Sequence, residues 1–590
     1  FTRSLLESGV ILKRDGEYTL NPESPAIHVP DSLQGLIASR IDRLEETIKK
    51  TVQVASVIGK DFAYRILQVI TGMHEELRSS LLNLQGMEFI YKKTLFPELE
   101  YIFKHALTQE VAYNSLLVAR RKELHRKIGE AMQDIYGERV NEYSGIISEH
   151  FLRGEDWEKA FVYLNKAGDA AARLFAHTEA RVHYSRALEV LGKLERSVTN
   201  SRRRVDTIIK LSLSSWRAHA PDQTLSLLME AEAATRALSG PEGLSPEDTL
   251  RLARVHFWLG RVRYLRGDVG EAIQTFMQML PVAQASKDPE LIAIPSCAIG
   301  QAMEVLGYLP KARQLLEQSI PLLEATANWA EWVQAMGFLG TALSGMGQCA
   351  AGVEKAQQAL ARAQELQSMT GVSISYSTMS FAHLFSGDLA RAMTTAQAAV
   401  KAAEESGDRI YRYVGYGLWA WAAGRLGHTE TAALCLTRSH QAAEELGGQV
   451  ILADVFSAVR AEVAFHANDL DEAQTLAEGG VSIAQAIEGI FGEGYARRVW
   501  GQALMKRTPP DLDGAERQLA ESARLLESGE NRMEAARSLA LLGSVCLKRG
   551  KPAEAAEHWH KAAAQFRAGA ADRELQEVLE LMKDASIPIG

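Results

Sequence analysis

A turn motif that returns every 40 residues constrains the fold of this chain more than any other feature. A turn residue, usually glycine, is followed five positions later by a small residue. Because each unit of a periodic chain buries its apolar face only against its neighbours, such a period is the signature of a repeat array. The pairs are Gly267 with Ala272, Gly307 with Ala312, Gly347 with Gly352, Gly387 with Ala392 and Gly427 with Ala432, with a less regular continuation through Asn468 with Ala473 and Asp513-Gly514-Ala515 to Gly550 with Ala555.

A second landmark, an aliphatic residue followed by glycine, precedes four of these turns. A small residue at a helix crossing lets two antiparallel helices approach closely, and a turn glycine supplies left-handed backbone. The pattern resembles the tetratricopeptide repeat, with a period of 40 residues in place of about 34, so helices or loops are longer. We predict an all-α, tetratricopeptide-like superhelix of helical hairpins over residues 144–590. The landmarks are Leu259-Gly260, Ile299-Gly300, Leu339-Gly340 and Leu542-Gly543, and a large residue follows the turn alanine by four positions at Phe276 and Leu316.

The first 143 residues carry a different pattern. Residues 9–20 alternate around Asp15-Gly16, and residues 89–105 alternate on both sides of Phe96-Pro97, so both stretches predict hairpins. Helices followed by a hairpin predict a small winged-helix-like α+β domain over residues 21–143, after a separate segment over residues 1–20. The helical patterns cover 29–45, about 46–58, 62–70 and 74–86, and one or two more helices run over 105–136.

Four stretches of this region together resemble a known arrangement. It is the region that follows the ATPase core in bacterial signalling proteins of the STAND class, in particular in multidomain class III adenylate or guanylate cyclases. The resemblance covers about residues 1–190 by motif and the remainder by repeat type. The stretches are VPDSLQGLIASRIDRLE (29–45), VIGKDF (57–62), YIFKHALTQEVAYNSLL (101–117) and RRKELHRKIGEAM (120–132).

The resemblance implies a regulatory role. Residues 1–20 would be the end of an ATPase lid, and the repeats would bind a protein or a small ligand and control the protein's own N-terminal ATPase and effector domains. Since the chain starts at Phe1 in what reads as the middle of a helix, we expect it to be a fragment. The C-terminal LQEVLELMKDASIPIG is not followed by a basic recognition helix, which favours an effector on the N-terminal side.

Two other classes of function stay open. Kinases and transcription activators use the same central module, so the chain could be the sensor arm of a STAND-type kinase or activator. It could also be a passive scaffold that joins proteins without switching.

Motifs that carry catalysis or bind cofactors are absent from the sequence. It contains no GxxxxGK[ST] phosphate loop and no GxSxG nucleophile turn. We therefore predict no catalytic residues and no cofactor for this chain, with ATP and magnesium expected only in N-terminal domains outside it. His558 and His560 lie two positions apart on a predicted helix and point away from each other, so we predict no metal site.

His105, in FKHALTQEVAY, is the candidate nucleotide-sensing residue. In related STAND proteins, a histidine of the winged helix contacts a phosphate of the bound nucleotide. An imidazole can donate a hydrogen bond to phosphate, so the chemistry is available to His105. The alternative is a histidine that closes the hairpin and packs on Tyr113.

One position of the repeat register predicts a ligand or partner groove. It lies one residue after the small helix-crossing position, where repeat proteins of this type face their concave surface. A mixed series of aromatic and polar side chains there can recognise a peptide or a small ligand. We name this series the ladder; its members are Arg261, Gln301, Thr341, Phe381 and Trp421.

Charge and composition exclude several partners. The net charge is −9, and Glu123 and Glu130 interrupt the basic run RRKELHRK (120–127) at helical spacing, so this run predicts a solvated helix face and no nucleic-acid partner. No apolar run reaches the roughly 18 residues that a membrane span needs. The cysteines form no CxxC pair, which is typical of buried thiols in a reducing compartment, so we expect a cytoplasmic protein. They are Cys297, Cys349, Cys435 and Cys546.

Overall fold

A computed structural model describes residues 11–14, 17–20, 33–94, 98–174, 176–215, 221–241, 243–448 and 450–588. Helices dominate these residues, which confirms the predicted all-α repeat fold with a small α+β domain before it. The chain divides into two compact units between Asn200 and Ser201. The helices that follow residue 144, where the sequence pattern changes, thus belong in part to the first unit.

The first unit contains all five strands that the structure describes. Strands β1 and β2 pair antiparallel, as the first hairpin pattern predicted, although Asp15 and Gly16 lie outside the described residues. The second predicted hairpin is confirmed by β4 and β5, and Phe96-Pro97 also lies outside the described residues. The strands are β1 Ile11–Arg14, β2 Glu17–Leu20, β3 Asp61–Ala63, β4 Ile90–Thr94 and β5 Glu100–Phe103.

Strand β3 was not predicted from the sequence, which indicated a helix from residue 62. It pairs antiparallel with β5, which also pairs with β4, so the strand order is β3-β5-β4. The pairing places Phe62 opposite Tyr101, and their rings stack at 5.8 Å. A strand of three residues has no periodicity to detect, and here tertiary pairing overrides local propensity.

Nine helices of the first unit are described. Residues 105–136 form two helices rather than one, and a 3₁₀ helix, Gly137–Tyr143, connects the second of them to the first repeat helix. The helices are α1 Leu33–Asp42, α2 Glu46–Ile58, α3 Tyr64–Thr71, α4 Glu75–Gly86, α5 Ala106–Asn114, α6 Val118–Tyr136, α7 Ser144–Arg153, α8 Trp157–Arg173 and α9 His177–Leu191.

The second unit is an array of paired helices. They are α10 Val198–Ser215, α11 Pro221–Arg236, α12 Pro246–Arg266, α13 Val269–Met277, α14 Leu280–Ser286, α15 Pro289–Leu306, α16 Leu309–Ala325, α17 Trp329–Gly345, α18 Cys349–Glu365, α19 Met369–Phe385, α20 Leu389–Ser406, α21 Arg409–Arg425, α22 Thr429–Glu444, α23 Ala453–His466, α24 Leu470–Ala486, α25 Ile490–Lys506, α26 Leu512–Ser528, α27 Arg532–Lys548, α28 Pro552–Ala568 and α29 Asp572–Asp584.

The period of 40 residues comes from long helices. Helices α17, α18 and α19 have 17 residues each, and three-residue connections separate them. The repeat turns with a glycine at 267, 307, 347, 387, 427 and 550 contain left-handed backbone, for example with φ of 91° at Gly267 and 92° at Gly307, which glycine adopts without steric cost. The recurring turn is therefore a backbone requirement of the hairpin.

At three of the four predicted helix crossings the glycine lies against the large residue of the next helix, and at the fourth Gly340 lies against the backbone of Gly352. A Cβ added at Gly300 would lie 2.9 Å from Cγ of Leu316, and one added at Gly543 would lie 2.6 Å from Nε1 of Trp559. Real Cβ atoms do not approach that closely, so the small residue sets the distance between the helices. The predicted role of these glycines in packing is confirmed.

The second unit winds back onto itself. We call Pro246–Arg425 (α12 to α21) the first winding and Ala453–Asp584 (α23 to α29) the second winding. The backbone N–H of Ile451 donates to the carbonyl of Leu265 at 2.9 Å, and that of Leu309 donates to the carbonyl of Gly529 at 3.3 Å. Helix α15 packs against α25, and α17 packs against α27. The two windings thus enclose the space along the inner helices.

Length and apolar character decide whether a helix of the described residues could span a bilayer. Within that part of the chain, no helix combines the length and the apolar character that a membrane span needs.

Candidate functional site

A cavity of about 60 Å³ lies between the two windings. The first winding contributes most of its wall from α12, α15, α17, α19 and α21, and the second winding contributes the start of α25 and the residue before α27. Six aromatic side chains line it: Tyr264, Phe338, Phe381, Phe385, Tyr411 and Phe491. A concave, mainly aromatic site with few polar groups is the usual form of a small-ligand pocket.

Glu304, on α15, supplies the one carboxyl group among the described lining residues, and no lysine, arginine or histidine lines the cavity with it. The side chain is partly buried, and no hydrogen bond or ion pair of its carboxyl group occurs within the described part of the chain. Burial raises the pKa of Glu304 to about 8. At neutral pH the group therefore exchanges between its neutral and its ionised form.

Asn531 is the second polar group of note in the cavity wall, and it is 1% exposed. It is the N-cap residue of α27, yet its side chain makes no capping bond. Its Nδ2 instead donates to the backbone carbonyl of Gly307, in the first winding, at 2.8 Å. That bond fixes the orientation of the amide, because a carbonyl can only accept. Oδ1 of Asn531 is left buried without a hydrogen-bond donor among the described residues.

The serine and threonine hydroxyl groups of the cavity wall direct their protons to their own helices. Oγ of Ser377 donates to the carbonyl of Ser373 at 2.9 Å, and Oγ1 of Thr378 donates to that of Ser375 at 3.0 Å. Thr341 makes the same kind of bond to Gly337, at 3.4 Å. Their lone pairs are the part that remains for a guest.

Two members of the predicted ladder reach the cavity. Thr341 and Phe381 line it, whereas the other three lie inside the packing of the inner helices. Phe381 meets Trp421 edge to face at 6.1 Å, and Trp421 stacks on Tyr495 at 5.0 Å. Trp421 is 1% exposed, so it supports the wall of the cavity from behind.

The polar end of the ladder is satisfied internally. Arg261 donates to Oε1 of Gln301 at 2.6 Å and forms an ion pair with Glu331 of α17. Nε2 of Gln301 points to the sulfur of Cys297 at 3.3 Å. Since both side chains are almost fully buried, the structure places them in the core and not on an open groove.

A buried ion network, which sequence reasoning missed, runs from Arg425 at the end of the first winding along the inner helices of the second winding. Its members alternate in sign and come from successive repeats. Arg425 donates to Glu462 at 3.1 Å, and Glu534 is paired with Arg498 and with Arg537. Arg537 also donates to Glu574 at 2.6 Å and to the carbonyls of Leu384 and Phe385 at 3.1 and 3.0 Å, which end α19 in the first winding.

Glu534 is the centre of this network and is 1% exposed. Burial alone would raise its pKa, but the charges of Arg498, Arg537 and Arg425 outweigh burial and hold the pKa well below its ordinary value. Glu534 is therefore ionised at every physiological pH. In the sequence, arginine and glutamate alternate at a spacing of about 36 residues along the network, and this alternation could have revealed it.

His105, the candidate nucleotide-sensing residue, is exposed and precedes α5 as its N-cap residue. Its side chain makes no capping bond, so its imidazole is accessible at the end of β5. The ring of Tyr113, the alternative contact, lies 5.8 Å from His125 and 4.9 Å from the guanidinium of Arg121. The sensing role stays a prediction.

The basic run at 120–127 contains a residue that the sequence reading did not single out. Arg120 and Lys127 pair with Glu123 on an exposed face, as predicted. His125, however, is 1% exposed, and its Nδ1 lies 2.9 Å from Nδ1 of His150. Burial and the neighbouring imidazole lower the pKa of His125 to about 3, and burial lowers that of His150 to about 4.

The four cysteines are free and buried, as predicted. The residues Glu516, Cys546 and Glu554 lie close enough together to hold a metal ion. Glu516 is paired with Arg549 at 3.0 Å and with Lys551 at 3.3 Å, so cations already balance these carboxylates.

Comparison with known proteins adds the following. No family model matches the chain. A curated relative, an uncharacterized protein of Rhizobium meliloti (strain 1021), is 25% identical over 227 residues. The match covers 38% of this chain and 20% of that protein, so it spans a fifth of the relative's length.

Two solved structures are similar in their course. A Rap protein complexed with competence and sporulation factor is 13% identical, with a TM-score of 0.44 over 67% of this chain and 99% of that chain. A STAND protein with a tetratricopeptide repeat sensor from Pyrococcus horikoshii is 12% identical, with a TM-score of 0.32 over 94% of this chain and 68% of that chain. By its own fold, the chain is a tetratricopeptide-like repeat protein whose array encloses an aromatic cavity.

Proposed function

We propose that the chain is the sensory and regulatory region of a cytoplasmic signal-transduction ATPase, and that the second unit binds a small ligand or a partner side chain. The observation that carries the proposal is the cavity that both windings line. A guest in it would contact α15, α19 and α25 at once, and would therefore stabilise the wound-back form of the array.

The proposed mechanism is a shift between two states of the array. A guest that contacts both windings binds the closed form better than the open form, and the difference in affinity sets how far the population moves. The small α+β domain before the array is proposed to act as a winged-helix-like arm. It would pass the change to an N-terminal ATPase, which would hold ATP and magnesium, with His105 as its nucleotide contact.

The effector is proposed to be an adenylate or guanylate cyclase, on the resemblance of the motifs between residues 29 and 132. The test is cyclic nucleotide formation from ATP and from GTP by the protein that carries this chain, with and without residues 144–590. We expect activity that changes when the array is removed. If neither substrate yields cyclic nucleotide, the cyclase assignment is wrong and the sensor arm of a kinase or an activator replaces it.

A passive scaffold is separated from a switch by a second measurement. A scaffold binds its partner equally with and without nucleotide on the ATPase, whereas a switch binds with different affinities in the two states. Equal affinities would overturn the proposed regulatory role.

A further inference from the structure

We propose that the cavity binds a small organic ammonium ion, whose head group contacts the Glu304 carboxyl group and the Asn531 amide oxygen while its apolar stem contacts the aromatic wall. This inference rests on the proposed function, because it names the class of ligand for the same cavity.

The cavity wall contains hydrogen-bond acceptors that are left without donors. Within the described part of the chain, Oδ1 of Asn531 is a buried acceptor without a donor, and its amide cannot turn, since Nδ2 is held by the carbonyl of Gly307. Glu304 offers a carboxyl group without a partner in the described residues, and Ser377 and Thr378 have already used their protons. A guest that satisfies these groups must supply several donors, and a primary ammonium supplies three.

The charge of the lining side chains favours a cation over an anion. Among the described residues no cationic side chain lines the cavity, so the wall offers an anion no opposite charge. The faces of aromatic rings carry negative potential and attract cations, and Phe338, Phe381 and Phe491 supply such rings. A neutral apolar guest would fill the space but would leave the acceptors of Glu304 and Asn531 without donors.

The volume of the cavity limits the size of the ligand. A cavity of about 60 Å³ has room for a few water molecules or a short aliphatic chain, and not for a nucleotide or a folded peptide. Two sources offer this chemistry: a free alkylamine, or the end of a lysine side chain. Both present an ammonium head on an apolar stem.

Binding of an ammonium ion requires the ionised form of Glu304, so the affinity must depend on pH. Because burial raises the pKa of this carboxyl to about 8, it is mostly neutral at pH 7. The other titratable groups in the wall are the phenols Tyr264 on α12 and Tyr411 on α21, while α16, α17, α19 and α25 contribute no titratable group to the described wall. The apparent affinity should therefore rise about tenfold between pH 6 and pH 7 and level off above pH 8.

The test is isothermal titration calorimetry of the intact chain at about pH 8 with the primary ammonium series from methylammonium to butylammonium. Alcohols of equal length are the neutral controls. We expect the ammonium ions to bind and the matched alcohols to bind at least about tenfold more weakly, since the alcohol lacks the charge that the carboxylate recognises. Nα-acetyl-lysine methylamide, titrated in parallel, separates the two sources: tighter binding than butylammonium assigns a lysine side chain, and weaker binding assigns a free amine.

The decisive variant is Glu304→Gln, which keeps the shape and removes the charge. It should lower the ammonium affinity at least about tenfold and abolish its pH dependence. The matched control is Glu317→Gln on α16, an exposed carboxylate paired with Arg313, which should change neither. Circular dichroism of both variants establishes that they fold.

Three results would overturn the inference: no ammonium binding at millimolar concentration, equal affinity for alcohol and ammonium, or an unchanged affinity in the Glu304→Gln variant. Each leaves the proposed regulatory role standing, because that role is tested by the nucleotide dependence of partner binding.

Discussion

The strongest test of the array's architecture is the removal of one charge from the buried ion network. In Glu534→Gln the side chain keeps its volume, but three arginines are left facing two carboxylates, those of Glu462 and Glu574. Removal of one partner from a buried ion pair costs about 3–5 kcal/mol, because the charges that remain cannot be solvated. We expect that loss here, since Glu534 is almost fully buried and its partners Arg498 and Arg537 are 2% and 10% exposed at the side chain.

A repeat array need not unfold in one step, so the measurement must be local. Native-state hydrogen exchange read by mass spectrometry on peptides of α25 and α27 gives the free energy of opening at the network. A loss of about 3–5 kcal/mol lowers protection there by a factor of about 140 to 3,700, at about 1.4 kcal/mol for each tenfold change. The matched control is Glu577→Gln on α29, whose pair with Arg573 is more than half exposed and is worth about 1 kcal/mol or less.

The same network makes a pH prediction whose sign follows from the pKa of Glu534. This pKa is lowered in the folded chain from an ordinary value of 4.5, so the stabilisation is complete above that pH and is lost as the pH falls below it.

The exposed control should lower protection less than about tenfold. If Glu534→Gln also lowers protection less than about tenfold, the network does not hold the second winding together.

Three further predictions test individual contacts. Asn531→Ala should accelerate exchange at the residue 307 junction as well as at α27, by about 1–2 kcal/mol of opening free energy, and the reasoning is refuted if only α27 responds. The folded pKa values of His125 and His150, about 3 and 4, lie below the ordinary value of 6.5. The first unit should therefore lose stability as the pH falls from 6.5 towards 4. A thermal unfolding temperature that is equal at pH 7 and pH 5 would contradict this. Gly300→Ala should destabilise α15 by about 1–3 kcal/mol, measured by urea unfolding, because the added methyl group clashes with Leu316. This loss should exceed the gain of about 1 kcal/mol in helix propensity. A more stable variant would show that the helix crossing has room for a methyl group.

The periodic part of the fold follows from the sequence because each repeat repeats a local requirement. The turn glycines at 267 and 307 adopt the left-handed backbone that their spacing predicted. The crossing glycine at 543 lies against Trp559, as the large-after-small pattern implied. Both features depend on residues that are close in the sequence, and a periodic sequence pattern detects features of this kind.

The site depends on contacts over a longer range. The sequence register selected Trp421 and Arg261 as groove residues, whereas the structure buries both, because a groove that winds back on itself becomes an interior. Glu304 carries no motif, and its importance arises from the neighbours that the winding brings to it. Asn531 reads as an ordinary helix cap, and only the structure shows that it contacts Gly307, 224 positions away.

The chemistry of the closing contacts bears on the proposed switch. Within each hairpin, apolar side chains hold the helices together, and their separation would expose large apolar surface. Between the windings, the contacts include hydrogen bonds to backbone carbonyls at helix ends, such as those of Gly307, Leu384 and Phe385. Water can replace such bonds at a net cost of about 0.5–1.5 kcal/mol each. These hydrogen bonds are joined by apolar contacts, since Trp421 of the first winding stacks on Tyr495 of the second winding at 5.0 Å. The proposed switch therefore depends on how much better a ligand binds the closed form of the array than the open form.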